Sequence, residues 1–153
     1  EQPHREVHPL LYAAEGFLSL PLHPLFPAAL PVVARAFGTV LAATRVQGRV
    51  PEFLHAGAAD AGAARVDIVA QALRVGALLA AHRPREAPDP AGLDLLRRML
   101  VEQVSARGTL PFVVGATPRR HNVWAAMFAE QALAFADEGD LAQRVGRDAP
   151  LLV

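Results

Sequence analysis

Apolar residues fall along the chain in five blocks separated by proline and glycine, and the spacing inside each block is helical. The first block predicts a helix from about Val7 to Ser19. Pro9 suits its first turn, and Pro21, Pro24 and Pro27 forbid continuation. The second predicts a helix from about Ala28 to Val46, with Pro31 near its start and Gly48 as a stop. The third predicts a helix from about Ala63 to His82, with Asp60 as an upstream cap and Pro84 beyond its end. The fourth opens at Asp89-Pro90, an N-cap followed by a first-turn proline, and ends before Gly108. The fifth opens the same way at Thr117-Pro118 and ends at Gly139, and a short sixth runs from Asp140 to Val145. Alternation of period two is absent. The expectation is an all-α fold of antiparallel helical hairpins, about three in number.

The faces of these helices differ in a regular way. Helix three is apolar almost all round (Val66, Ile68, Val69, Leu73, Val75, Leu78, Leu79), and helix five nearly so (Val123, Trp124, Met127, Phe128, Leu133, Phe135). Helix one is similar, with Leu10, Leu11, Phe17 and Leu18. Helices of that kind are normally buried on every side. Helix four instead carries one stripe, Leu93, Leu96, Leu100 and Val104, among Asp94, Arg97, Arg98 and Glu102. Helix two turns Val33, Phe37, Val40 and Leu41 inward. The predicted order is inner, outer, inner, outer, inner, and helices three and five should be among the most buried elements.

A repeat underlies this order. Gly48-Arg49-Val50-Pro51-Glu52-Phe53 is echoed by Gly108-Thr109-Leu110-Pro111-Phe112-Val113, 60 positions later. After each comes a loop, then an Arg, then an inner helix, at Arg65 and at Arg120. His8-Pro9-Leu10-Leu11-Tyr12-Ala13 is a candidate opening of an earlier copy. The outer-to-inner connections are the long ones, and they share one end of the bundle with the N-termini of the inner helices. Those termini present free N–H groups and partial positive charge. His8, Glu52, His55, Arg65, Asp67, Arg119, Arg120, His121 and Asn122 should therefore gather at one mouth.

Composition narrows the chemistry. The 153 residues are one domain's worth, with 52% hydrophobic residues, too apolar for a disordered chain. Fifteen basic residues, all Arg, balance fifteen acidic ones, so a general nucleic-acid binder is not expected. There is no Cys, which removes disulfides, thiolate metal sites and thiol catalysis. No uncharged apolar run reaches about 18 residues, so no membrane partner is expected. The start at Glu1-Gln2-Pro3 has no apolar leader; the compartment stays open, with the cytoplasm slightly favoured. The six His show no metal-ligand spacing, and phosphate-loop, dinucleotide and serine-hydrolase motifs are absent, so no metal or cofactor is expected.

Three stretches, HPLLYAAEGFL from His8, GRVPEF from Gly48 with RVDIVAQALRVGALL from Arg65, and RRHNVWAAMFAEQALAF from Arg119, resemble inner-helix and loop segments of the α/α toroid. That fold is shared by bacterial glycosidases, sugar epimerases and polyuronate-processing enzymes. The resemblance implies inner helices lining a funnel, outer helices ringing them, and a saccharide ligand. A whole toroid has about six hairpins. The resemblance therefore also implies that missing sequence, a partner chain or self-association completes the ring, unless the bundle stays open.

Within that frame Glu52 and Asp67 are the candidate acid/base carboxylates, since glycoside cleavage uses two carboxyl groups roughly 5 to 9.5 Å apart. The plainer reading makes Glu52 a solvated loop residue and Asp67 a helix-start charge paired with Arg65. Arg119, Arg120 and His121 put positive charge into an already positive first turn, a misfit that an acidic saccharide or another anion at that turn would resolve. Trp124, the only tryptophan, would stack on a sugar ring if it faced the mouth, while its apolar helix points to the core. Tyr12, His8, His55, Arg65, Gln71 and Asn122 complete the candidate lining. Glu15, Gln71 and Glu130–Gln131 interrupt apolar helices and need polar partners. The alternative to an enzyme is a helical-repeat module that binds a partner chain through its apolar inner helices.

Overall fold

The computed structural model of the chain describes residues 5–54, 62–82, 88–116 and 120–137. The expected cap at Asp60, the opening at Thr117-Pro118 and the sixth helix lie outside the described residues. The element order is β1 (Arg5–Glu6), α1 (Val7–Leu18), α2 (Phe26–Gln47), β2 (Phe53–Leu54), α3 (Val66–His82), α4 (Pro90–Val101) and α5 (Val123–Asp137). The fold is all-α. Its one sheet among the described residues is the two-residue antiparallel pair β1–β2, with Arg5 opposite Leu54 and Glu6 opposite Phe53.

Punctuation explains most of the boundaries. Asp89 caps α4 by accepting from Ala91 N–H at 3.1 Å, with Pro90 in the first turn. Gly48 ends α2 at φ +67°, in the left-handed region that glycine enters without steric cost. Helix α4 stops at Val101, well before the expected end ahead of Gly108. The reason is local. Ser105 Oγ accepts from the N–H groups of Arg107 and Thr109, at 3.2 and 3.1 Å, and draws the backbone into a turn closed by Gly108 at φ +72°. Val104 of the expected stripe lies past the helix end and is exposed.

α3 is the centre of the structure. Every residue from Val66 to Leu79 is buried, and the helix packs against α1, α2, α4 and α5. α2 buries one stripe, Leu30, Val33, Phe37, Val40, Leu41 and Thr44, and α4 buries Gly92, Leu96 and Leu100. By length and composition α2 could cross a bilayer, but it carries Arg35 and Arg45 and turns that stripe into the core. α5 departs from expectation. Only Ala125, Ala129 and Ala132 are buried, while Val123 is 78% exposed. The alanines form one narrow stripe, spaced four and three residues apart, that lets α5 approach α3. Phe128, Leu133 and Phe135 are half-buried along the edges of that contact, and the N-terminal turn of α5 stands in solvent.

The three odd-numbered helices run the same way. Moving up α1, Glu15 meets Arg74 and the Leu18 carbonyl meets His82, so α1 and α3 ascend together. α5 starts at the same end, since Phe112, whose carbonyl caps α3, also bonds Arg120 just ahead of α5, and further along Arg74 reaches Gln131. α2 returns in the opposite sense, from a ring contact between Phe26 and His82 to the loop beside the start of α1.

The sequence repeat is a repeat of backbone function. Val7 N–H, at the start of α1, donates to Glu52 O at 2.9 Å; Val66 N–H, at the start of α3, donates to Phe112 O at 3.0 Å. Gly48 and Gly108 both take positive φ, and Val50 and Leu110 both bury their side chains. Each loop thus caps the helix that opened its own hairpin and satisfies one of its free N–H groups. Each also grips the next inner segment. Arg49 donates to Gly62 O at 2.7 Å, and Phe112 N–H donates to Arg120 O at 2.7 Å.

Two substitutions test the packing. A methyl added at Gly76 would lie 2.4 Å from Leu93 Cδ2 and 2.9 Å from a Phe37 ring carbon, whereas one at Gly38 meets nothing within 4 Å. Gly38→Ala should stabilise by about 0.5–1 kcal/mol through helix propensity. Gly76→Ala should destabilise by about 1–3 kcal/mol through overpacking. Urea unfolding midpoints with unchanged slope decide both.

A third test uses His82. Its Nε2–H donates to the Leu18 carbonyl at 2.8 Å, and burial holds its pKa below the ordinary 6.5, with that carbonyl pulling the other way. The unfolded chain therefore takes up a proton at a pH where the folded chain does not. Stability is full above 6.5 and falls as pH drops through 6.5 toward the folded value. His82→Gln should flatten that decline in denaturation midpoints measured from about pH 7.5 to about pH 5.

Candidate functional site

A cleft of about 720 Å³ opens between α1, α3 and α5. Each helix lends it one stripe. His8, Tyr12 and Glu15 come from α1 and Ser19 from its C-cap, at spacings of four and three residues that keep them on one face. Asp67 and Arg74 come from α3, seven residues apart, with Gln71 midway along the same line. Trp124, Met127, Phe128 and Gln131 come from α5. Arg65, Phe112 and Asn122 close the end where the helices start.

The floor is a charged network set among apolar residues. Arg74, 2% exposed, donates to Glu15 in an ion pair and to Gln131 Oε1 at 2.8 Å. Its guanidinium carbon lies 5.5 Å from the ring centres of both Phe128 and Phe135, within cation–π range. Burial lowers the Arg74 pKa, and Glu15 opposes that shift. Gln71 Nε2 donates to Glu15 Oε2 at 3.5 Å. At the other end, Arg65 grips Asp67 with two parallel bonds of 3.1 and 2.6 Å and lies 5.1 Å over the Phe112 ring. Those bonds to Asp67 raise the Arg65 pKa, against burial. Tyr12 has its pKa raised by burial and then by Glu15. Three buried polar atoms of this region have no hydrogen-bond partner: His8 Nδ1, Gln71 Oε1 and Arg74 Nε.

Of the residues expected at the mouth, His8, Tyr12, Arg65, Asp67, Asn122 and Trp124 line the cleft, and Gln71 lies beneath it. Asn122 also works as the cap of α5, its Oδ1 accepting from Trp124 N–H at 2.8 Å. Trp124 is 62% exposed on the cleft wall, so the core position suggested by its apolar helix is corrected: α3 covers only the alanine stripe. Glu52 is placed differently from Asp67. Its Oε2 accepts from Ala63 N–H at 2.7 Å and its Oε1 lies 3.9 Å from Arg65, which stands between the two carboxylates. The plainer reading of both, as loop clamp and arginine partner, matches this geometry.

The cluster around Arg120 is a second correction. α5 begins at Val123, so Arg120 and His121 precede the helix and occupy no first turn. Arg120 accepts from Phe112 through its backbone, and His121 bridges to Pro111 and pairs its Nδ1 with the Leu110 carbonyl at 3.0 Å. Both are exposed and neither lines the cleft. His55 and Arg119 lie outside the described residues. Among the described residues, the arginines that line the cleft are Arg65 and Arg74. Arg74 was marked by an available signal, a charge in the middle of an otherwise apolar helix. Among the described residues no group of three or more His, Asp or Glu is placed to hold a metal ion.

Comparison with known protein families, with characterised proteins and with solved structures gives no match.

The network makes a sharp prediction. Glu15→Ala leaves the Arg74 charge buried without its carboxylate and should cost about 3–5 kcal/mol. Glu15→Leu combined with Arg74→Met replaces the pair by apolar volume and should recover most of that loss. Chemical denaturation of the single and double variants measures the difference.

Proposed function

We propose that the cleft is a saccharide-binding site on a helical-repeat scaffold of α/α-toroid type. The observation that carries this reading is the pairing of an exposed tryptophan with a polar floor. Trp124, Tyr12 and Phe128 offer aromatic surface to the apolar face of a sugar ring, and Tyr12 and Phe128 already touch edge to face at 6.2 Å. His8, Asp67, Asn122 and Gln131 offer donors and acceptors to hydroxyl groups. Both arginines of the cleft already hold a carboxylate, Arg65 with Asp67 and Arg74 with Glu15. That balance favours a neutral saccharide over an acidic one. It also favours binding over two-carboxylate cleavage by Glu52 and Asp67, since Arg65 engages both.

The single tryptophan makes the test direct. Neutral gluco- or chito-oligosaccharides at millimolar concentration should shift Trp124 emission, and a glucuronate oligosaccharide should bind more weakly. Trp124→Ala, followed by calorimetry, should weaken binding about tenfold, or about 1.4 kcal/mol. Emission that stays unchanged with every sugar would sink this reading.

A second reading keeps a partner chain. It is favoured by the bare apolar start of α5, where Val123 and Trp124 stand in solvent. On that reading the chain associates at micromolar concentration in sedimentation, and Val123→Asp returns it to monomer.

A further inference from the structure

The turn between α1 and α2 directs leucines into solvent. Leu22 is 94% exposed and Leu25 61%, and Phe17, Leu20 and Val32 are exposed as well. Leu18 and Leu30, on either side of the turn, are buried and hold it from beneath. The Phe26 ring packs against His82, which is itself bonded to the Leu18 carbonyl, and so adds a second anchor. From Gly16 to Ala34 the chain carries no Asp, Glu or Arg.

The polar groups of the turn say what kind of surface suits it. Ser19 and His23 are the only polar side chains from Gly16 to Ala34, and both turn to the local backbone. Ser19 Oγ donates to the Glu15 carbonyl at 2.9 Å, and His23 Nδ1 accepts from Leu25 N–H at 3.2 Å. Pro21, Pro24 and Pro27 have no N–H, and six of the eight N–H groups from Ser19 to Ala29 are bonded within the turn or to the helix ends. A protein interface carries roughly one hydrogen bond per 100–200 Å², and this surface has little to offer one. Hydrocarbon offers no hydrogen bonds and requires polar groups to be satisfied internally, as they are here.

The flanking charges fit the same occupant. Arg35 is the first charge on α2, nine residues past Phe26 and about 13 Å along the axis at about 1.5 Å per residue. It is exposed and in no ion pair among the described residues. On α1 the nearest charge, Glu15, is held by Arg74. Along both helices that frame the turn, the first unpaired charge is therefore a cation, which suits anionic headgroups.

We propose that the α1–α2 turn docks on a lipid surface, with Leu20, Leu22 and Leu25 in the acyl boundary of one leaflet and Arg35 at anionic headgroups. The distance to Arg35 leaves room for the depth of about 5–10 Å at which interfacial segments sit. No span is needed for this, and the expected absence of a membrane partner rests only on the missing span. Ser19 and Leu20 also line the cleft, so a docked chain holds that end of the cleft at the headgroup layer. The docking itself does not depend on what the cleft binds.

The chain has no Cys, so one introduced Cys places a dye at a chosen point. An environment-sensitive dye on Leu22→Cys should shift to the blue on vesicles of phosphatidylcholine with phosphatidylserine. The same dye on Val46→Cys, exposed at the far end of α2, should not. The unlabelled full chain should float with these vesicles, and Leu22→Asp combined with Leu25→Asp should weaken that binding at least tenfold. Arg35→Glu should weaken it on the anionic vesicles and change nothing on phosphatidylcholine alone. A wild-type chain that stays in solution with both kinds of vesicle overturns the proposal, as do equal dye shifts at the two positions. So does a double variant, folded by its far-ultraviolet spectrum, that floats as the wild type does. Self-association without lipid that the double variant abolishes would assign the turn to a second copy of the chain instead.

Discussion

A guanidinium has several N–H donors and no lone pair, so an arginine buried among apolar helices must find acceptors on whatever surrounds it. Arg74 sits in the middle of the most buried helix and finds them on both sides, Glu15 on α1 and Gln131 on α5, with two phenylalanine rings beside its guanidinium. One side chain therefore ties three parallel helices together at one height. The cleft lies against that tie, with Tyr12 and Trp124 exposed on its walls. Packing alone would set these helices at several nearly equivalent rotations. The donor and acceptor pattern of the buried groups admits fewer of them.

The second organising device is the pair of loops at the N-terminal ends. Both use a left-handed glycine, a buried aliphatic residue and a proline to aim a carbonyl at the first N–H of an inner helix. They then hold the strand-like approach to the following inner helix, through the Arg49 side chain in one case and through backbone in the other. The chemistry of the two copies differs, Glu52 against Phe112, because the carbonyl does the capping and the side chain is free to vary. Phe112 uses that freedom to lie under Arg65, and Glu52 uses it to clamp Ala63 and face the same arginine.

Much of the architecture was legible in the residues. Proline and glycine placed the start of α4 and the end of α2, and the apolar stripes of α2 and, short of Val104, of α4 faced inward as their periodicity implied. The all-round apolar pattern identified α3 as the core helix. It misled for α5 and for α1, which leaves Tyr12 and Phe17 exposed, because an apolar face records what a helix can bury and not what is present to bury it. The site was legible in part. Helix-start position brought His8, Arg65, Asp67 and Asn122 to one mouth. Arg120 and His121 escaped it because α5 begins after them, and no capping signal near Thr117 could reveal that. Glu15, Arg74 and Gln131 were visible only as polar interruptions. Their mutual contact spans about 57 to 59 positions along the chain, beyond the reach of any local pattern.

The capping loops also bear on how the chain reaches this state. The bond from Val7 to Glu52 and the bond from Val66 to Phe112 close circuits of nearly equal length, each around one hairpin. Neither circuit requires the other to have formed. Loop-closure entropy grows only slowly with length, and helices of this size form locally on a microsecond scale. Each hairpin can thus complete its own circuit before the two halves dock along α3. The Arg74 tie differs in kind: it needs α1, α3 and α5 in place together, so it cannot form within either circuit alone.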